Sequence, residues 1–401
     1  MLSFDEVLQK LVTETQPLAT LKPQTLPLVE AVGHILAEEV CAPMAVPPFD
    51  HSMMDGYAVA IDDIEQGVYY PVSQTLAAGE VAGIVLSPGS VARILTGAPL
   101  PEGADTVIMQ EWSQSRVDAN GQQWVAFGEP LQKAVKGQHI RKHGSDMAQG
   151  EKILSVGTSL ASQHIAVLAS LGIDKIPVFS PLKVAFFTTG SELCSPGKAL
   201  SPGKIYNSNR PLITALLQQN GFEVLDFGHV ADNLEVIEQT LTQAAQRADV
   251  IITTGGVSVG DKDYILPAVE KLGQMQAWKV AMKPGKPLAL GSVLQTPFVG
   301  LPGNPVAAFS VFQLLVLPYL KTLQGVSPVD MAPQTLLAGF QWQNPGQRRQ
   351  FLRVKREGQI AFVHPKQETG ALSSLLAADG LVAVPEESEI QIGQPVQYYP
   401  F

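Results

Sequence analysis

At 401 residues the chain exceeds one ordinary core, and domain sizes of ~100–200 residues give it two to four domains. A hydrophobic fraction of 45% with 16% charged residues excludes a disordered chain, and a formal net charge of −10 opposes nucleic acid or an anionic membrane as partner. Two cysteines, Cys41 and Cys194, are too few for a disulfide framework or a cysteine-based zinc site, so a reducing, cytoplasmic setting is expected.

The chain opens with MLSFDEVLQKLVTETQPLAT, which carries acids where a signal peptide needs a basic start and reads as an amphipathic helix. PLVEAVGHILAEEV continues the helical patterning and offers an apolar face, until Pro43, Pro47 and Pro48 interrupt it. Residues 47–146 hold short Val/Ile/Leu runs punctuated by Gly and Pro, which predicts a β-rich domain. SLASQHIAVLASLGI returns to helical spacing and stops at Gly172. Residues 147–180 are therefore expected to join 1–46 in a discontinuous helical linker domain, with the β domain as an insertion.

From Leu182 strands and helices alternate through LKVAFF, NRPLITALLQQNG, FEVLDFG, LEVIEQTLTQAAQRA and DVIITTGG. Asn209 is the expected N-cap of the first helix, with Pro211 just inside and Gly221 at its end. The alternation predicts a doubly wound α/β domain over 181–327, a parallel sheet with helices on both faces. Its apolar stretch Ala307 to Leu320 is shorter than the ~20 residues of a membrane span and reads as a buried core helix. Beyond it, QFLRVKREGQIAFVHP predicts a hairpin turning near Glu357 to Gln359, and GLVAVP and PVQYYPF supply further strands. A small barrel-like β domain over 328–401 completes a multidomain α/β and β fold.

Chemistry-bearing residues concentrate at the strand ends. TTGGVSVGDKDY follows the strand DVII, where loops of an open parallel sheet form the ligand crevice and glycines let backbone N–H groups approach phosphate. Gly255, Gly256 and Gly260, with Ser258 between them, suit that task. Asp261 and Asp263 repel a bare phosphate, which points to a hard cation, most simply Mg²⁺, between carboxylate and anion. As a short pattern, the loop reads equally as a capped glycine turn.

Glu192 in TTGSEL and Asp232 in VADN stand at two other strand ends, and converging carboxylates need a shared cation or proton. Taken singly, each is a solvated acid or a helix cap. Lys279, Lys283 and Lys286 lie in the proline-stiffened WKVAMKPGKPLALG, suited to recruiting an oxyanion, with Lys283 as the preferred contact; singly they are surface lysines. GLPGNPVAAFS, containing Gly303, is a wall for a flat ring or simply a strand–helix connector. Polar loops hold Asp50, Asp55 and the turn residue Gly56, then Thr96 and Gly97, then Arg141, Lys142 and Asp146, with no chemistry assignable from residue type alone. The seven histidines show no zinc spacing, and neither GxSxG nor GxxxxGK[ST] occurs, which disfavours hydrolase and P-loop mechanisms.

In this order, PPFDHSMMDGYAV, RILTGAPLPEGADTVIMQE, TTGGVSVGDKDY, WKVAMKPGKPLALG and GLPGNPVAAF resemble the molybdopterin molybdenumtransferase family over nearly the whole chain. The resemblance implies a homodimer with four domains per subunit and sites shared between subunits. It also implies an Mg²⁺-dependent reaction of adenylyl-molybdopterin with molybdate that yields molybdenum-bearing molybdopterin and AMP. The implied catalytic residues are Asp55, Thr96, Asp146, Glu192, Asp232, Asp263, Lys279 and Lys283, with Glu192, Asp232 and Asp263 holding the metal. Pro302, Gly303, Pro305, Arg353 and Ser373 or Ser374 join the glycine loop in binding the pterin. His51, Met53 and Ser191 depart from the family pattern. The alternatives are a molybdopterin adenylyltransferase, disfavoured by the long chain, and a noncatalytic molybdopterin-binding scaffold, disfavoured by the acids and lysines at the strand ends. A contact with the adenylyltransferase is left open.

Overall fold

The computed structural model describes residues 1–80, 84–256, 263–326 and 332–401, so Ser258, Gly260 and Asp261 lie outside the described residues. The chain forms two compact units: Met1–Glu38, Val156–Ala161 and Lys175–Phe401 in one, Glu39–Ser155 and Ser162–Asp174 in the other.

The first unit opens with helix α1, Phe4–Val12. The Ser3 hydroxyl accepts from the Glu6 amide while the Glu6 carboxylate accepts from the Ser3 amide, a reciprocal cap that fixes the helix start. Phe4, Val7 and Leu11, spaced three and four apart, turn one face into the core. The helix is shorter than the twenty-residue pattern suggested.

The central sheet is built from β1 (Lys183–Thr189), β2 (Glu223–Val230), β3 (Val250–Thr254), β4 (Gly273–Lys279), β5 (Pro287–Val293) and β6 (Thr296–Leu301). Their order is β2-β1-β3-β6-β5-β4; the first four run parallel and the last two antiparallel. Between them run α2 (Asn209–Gln219), α3 (Leu234–Arg247) and α4 (Ile265–Leu272), and after β6 come α5 (Pro305–Val311) and α6 (Leu317–Leu323), joined by the π-turn Phe312–Val316. Successive residues of a strand face opposite ways, so both faces of a covered sheet must be apolar. Val184 and Phe186 accordingly enter the core shared with α1, α2, α5 and α6, whereas Ala185 and Phe187 enter the one beneath α3 and α4. Pro305–Leu323 is the one helix among the described residues long and apolar enough to cross a membrane; 72% of its most apolar window is buried, as expected of a core helix.

Asn209 does not cap α2. It is the first helical residue, and the Arg210 amide is met by the Asn207 side chain (3.1 Å). Ser208 holds the N-cap position without a side-chain capping bond, and Asn207, two residues before the first helical residue, meets a first-turn amide instead. Gly221 follows the helix at φ 79°, as its position predicted.

A closed barrel follows, with strands Gln334–Ala338, Arg349–Glu357, Ile360–Val363, Gly380–Val384 and Pro395–Pro400. The second of these pairs with the fourth as well as the third, which closes the ring around Leu336, Leu352, Val354, Val382 and Tyr398. The short strand Met282–Lys283 adds in parallel to Arg349–Gln350 and ties the lysine loop to the barrel.

Within 1–46 and 147–180 the helical expectation holds only for α1 and for Ser162–Ser170. PLVEAVGHILAEEV instead contains the end of strand Pro23–Pro27, which pairs with Lys175–Phe179, then the 3-10 turn Leu28–Ala31 and strand Val40–Cys41, which pairs with Lys152–Leu154. Leu28, Ala31, Ile35 and Leu36 are buried as their spacing required. Gly33 at φ 81° breaks the helical path between them, and long-range strand pairing takes over. The second unit centres on a six-stranded sheet ordered Thr106–Met109, Gly56–Val59, Val91–Ile94, Tyr70–Leu76, Gln123–Phe127 and Ser113–Val117, in agreement with its β-rich reading.

Candidate functional site

In a doubly wound sheet the ligand crevice opens where strand order reverses. Here β1 has β2 on one side and β3 on the other, so the switch point lies between β1 and β3. Both strands end in Thr-Thr-Gly, and register places Thr188 beside Thr254. Gly255 (φ 86°) and Gly256 (φ 67°) then follow a path that side chains rarely adopt. A Cβ on Gly255 would stand 2.5 Å from the Thr189 carbonyl oxygen; one on Gly256 would stand 2.6 Å from Ile265 and 3.1 Å from the Thr189 hydroxyl. These glycines are required by close backbone approach, the same property that admits a phosphate or a flat ring.

The third wall is the turn between β6 and α5. Pro302 is buried and Gly303 exposed, with Gly255 Cα 3.8 Å from where a Cβ on Gly303 would be. Asn304 caps α5 by accepting from Val306 and Ala307, and Pro305 occupies the first turn.

Acids follow the strand ends around this crevice, and the lysines lie at the same end of the sheet on other elements. Asp263, half-buried, lies beside Gly256, its Oδ1 3.3 Å from the same Cβ position that the Thr189 hydroxyl approaches. The Glu192 carboxylate folds over Gly190, 2.7 Å from that residue's Cβ position. Both carboxylates thus border Thr189–Gly190. Asp232, half-buried, sits after β2 just before the Asn233 cap of α3. Among the described residues no three His, Cys, Asp or Glu side chains stand close enough together to form a metal cage, so Glu192, Asp232 and Asp263 do not converge as a triad. Strand ends place acids along one rim; they do not bring the side chains together.

Lys279 ends β4 opposite Pro287, and Ala289 of the same strand pairs with Gly300 of β6. This antiparallel register carries Lys279 to the sheet end where β6 delivers its turn. Lys283 and Lys286 follow in the same loop, all three exposed. The loop packs on α5 through Gly285 (φ 104°), where a Cβ would meet Val311 at 2.3 Å.

From the barrel, the 3-10 turn Leu372–Leu376 packs against α5. Ser373 is exposed; Ser374 is buried and donates to the Ala371 carbonyl (2.5 Å), leaving Ser373 as the one of the two with a free face. Arg353 is wholly buried, its Nη2 donating to the Lys366 (3.0 Å) and Glu368 (3.2 Å) carbonyls. These two bonds hold the segment 366–368, while Nε and Nη1 of the same guanidinium are buried without a hydrogen-bond partner.

In the second unit three motifs meet. His51–Ser52 pairs with Ile140–Arg141, and Ser52 exchanges backbone bonds with Gly97 and Ala98. Asp55 Oδ1 accepts from both the amide and the hydroxyl of Thr96 at 2.7 Å, and these bonds hold its carboxyl below the usual carboxylate range. Asp50 pairs with Lys142 (2.7 Å) and the His143 amide, and Asp146 with Arg141 (3.4 Å). Gly56 serves no turn: it begins a strand, and a Cβ there would lie 2.1 Å from the Ile108 carbonyl oxygen.

Sequence reasoning missed Asn207, which donates to the Thr188 hydroxyl (2.8 Å), the bond Asn209 donates to the Gly303 carbonyl (2.8 Å), and the Arg210–Asp226 pair (2.9 Å). The available signal was Thr-Thr-Gly repeated at two strand ends, which marks β1 and β3 as the two walls of one crevice.

A glycine-walled crevice at the switch point, with carboxylates and lysines at the same end of the sheet, belongs to the class of doubly wound α/β proteins whose strand ends admit phosphorylated or flat heterocyclic ligands. Family profiles match residues 2–172 as "MoeA N-terminal region (domain I and II)", 185–322 as "Probable molybdopterin binding domain" and 335–401 as "MoeA C-terminal region (domain IV)". The molybdopterin molybdenumtransferase of Haemophilus influenzae is 36% identical, with 100% of this chain and 99% of that protein covered. Molybdopterin molybdenumtransferase 2 of Mycobacterium tuberculosis is 34% identical over 94% of this chain and 95% of its own. The crystal structure of the molybdopterin biosynthesis moeA protein from Pyrococcus horikoshii superposes with a TM-score of 0.84 at 28% identity, covering all of both chains. The chain belongs to the MoeA family, the molybdopterin molybdenumtransferases of molybdenum cofactor biosynthesis.

Proposed function

We propose that this chain places molybdate onto adenylyl-molybdopterin at the β1/β3 crevice, with release of AMP. The observation that carries the reading is Thr189 set against Gly255 and Gly256 with Asp263 beside them, which joins a closely approached glycine backbone to a carboxylate. Gly255, Gly256 and Gly303 line the pterin and phosphate wall, and Pro302 and Pro305 stiffen its turn. Lys279 and Lys283 orient molybdate, a substrate, as charged hydrogen-bond donors, and the exposed Ser373 joins the pterin contacts. Orientation and charge stabilisation carry the rate without a covalent protein intermediate.

The donor set fits Mg²⁺, which is held through one or two carboxylates and substrate phosphate more often than by an all-protein cage. Asp263 and Glu192 would hold it, with Asp232 further along the rim. When bound, it neutralises phosphate charge. An adenylyltransferase or a noncatalytic scaffold would bind pterin without molybdate-dependent AMP release.

Lys283→Ala should raise the molybdate concentration for half-maximal rate by about tenfold, on the scale of one charge-assisted hydrogen bond, while pterin affinity changes less than about twofold. Separate titrations of the two substrates check this, and equal losses for both would remove Lys283 from the anion site.

The same reading makes the enzyme a cytoplasmic homodimer whose subunits divide into 1–46 with 147–180, 47–146, 181–327 and 328–401. Asp55, Thr96 and Asp146 of one copy then complete the crevice of the other. Asp55→Ala and Asp263→Ala, each inactive, should regain roughly a quarter of wild-type activity when co-expressed, since about half the dimers are mixed and each holds one intact site. A purified mixed dimer as inactive as its parents would contradict shared sites.

A further inference from the structure

Asn209 is 7% exposed, and its amide makes one bond, Nδ2 to the carbonyl of Gly303. Neither element it joins needs it. The first amide turn of α2 is met by Asn207, whose other end holds Thr188, and α5 is capped by Asn304. What Asn209 adds is the span itself, from the amino end of α2 to the turn that walls the crevice opposite Gly255. Its Oδ1 is buried without a hydrogen-bond partner. An unmatched buried acceptor lowers stability, and an apolar residue of the same shape would avoid that loss.

We propose that Asn209 is a positioning residue for the pterin substrate. It sets the separation between α2 and Gly303, so that the wall formed by Gly303 and Gly255 stands at its binding distance before the ligand arrives. Preset backbone saves ordering entropy at binding. This rests on reading the crevice as the pterin site.

Asn209→Leu keeps the branched heavy-atom shape, in a somewhat larger side chain, and removes both the span and the unmatched oxygen. The melting temperature of the variant should equal or exceed that of wild type, while adenylyl-molybdopterin binding, followed by equilibrium fluorescence titration of the pterin, weakens about tenfold and kcat stays within about twofold. Asn209→Asp retains shape, loses the donor and adds a negative charge; its affinity should recover as pH falls and the carboxyl, protonated and neutral, donates again to Gly303. Unchanged pterin binding in both variants, or a lowered melting temperature with intact binding, would make Asn209 a structural joint and overturn the proposal. Absence of molybdate-dependent AMP release in wild type that still binds pterin would count against the proposed reaction, and the binding comparison would still decide the role of Asn209.

Discussion

Asp263→Asn should reduce molybdate-dependent AMP release by about a hundredfold or more while the protein remains folded. The substitution is isosteric and removes a formal charge at a half-buried rim position, beside Gly256 and the Thr189 hydroxyl, outside both hydrophobic cores of the unit. A fixed group that neutralises charge in the reacting complex is worth about 10²–10³ in rate, whereas an isosteric change outside the packed cores costs about 1 kcal/mol of stability. Rate and stability should therefore separate. Circular dichroism with a melting curve checks the fold, and AMP release at saturating Mg²⁺ checks the rate. Wild-type turnover by the variant would take Asp263 out of the site.

Gly255→Ala should damage both at once. Its φ of 86° costs a side chain roughly 1–2 kcal/mol, and the added methyl would lie 2.5 Å from the Thr189 carbonyl oxygen, a backbone atom that cannot swing aside. Relief requires the ends of β1 and β3 to separate, and that gap is the ligand crevice. Pterin affinity should fall about a hundredfold and the unit should melt several degrees lower, by about 2 °C or more per kcal/mol lost. Gly303→Ala is the contrasting case. The nearest atom to its added methyl is Gly255 Cα at 3.8 Å, an ordinary contact, so its stability should match wild type. Equal behaviour of the two variants in melting curves would refute the role assigned to backbone geometry at Gly255.

The α/β unit was legible because its signals are local. Alternating Val/Ala/Phe in LKVAFF states a strand covered on both faces, and Gly221 states where a helix stops. The hairpin at Gly358 was readable for the same reason. PLVEAVGHILAEEV was not, since its neighbours Pro23–Pro27 and Val40–Cys41 find their partners after the inserted sheet, and a spacing pattern cannot name a distant strand.

At the site, glycines and lysines announced the crevice while the side-chain geometry stayed hidden. Glu192, Asp232 and Asp263 could be assigned to strand ends, yet their separate directions depend on loop paths that residue types do not specify. Arg353 shows the same limit. FLRVK reads as an arginine on a strand, and only the closing of the barrel decides that the guanidinium is turned inward onto Lys366 and Glu368. Asn209 looked like a cap because capping preference is local, whereas its bond to Gly303 crosses the domain.

Purified protein incubated with adenylyl-molybdopterin and Mg²⁺, with molybdate added last, tests the central claim most directly through AMP release and metal content of the pterin. AMP should appear only after molybdate is supplied, in proportion to molybdenum bound by the pterin. Tight pterin binding with no AMP released and no molybdenum transferred would contradict it.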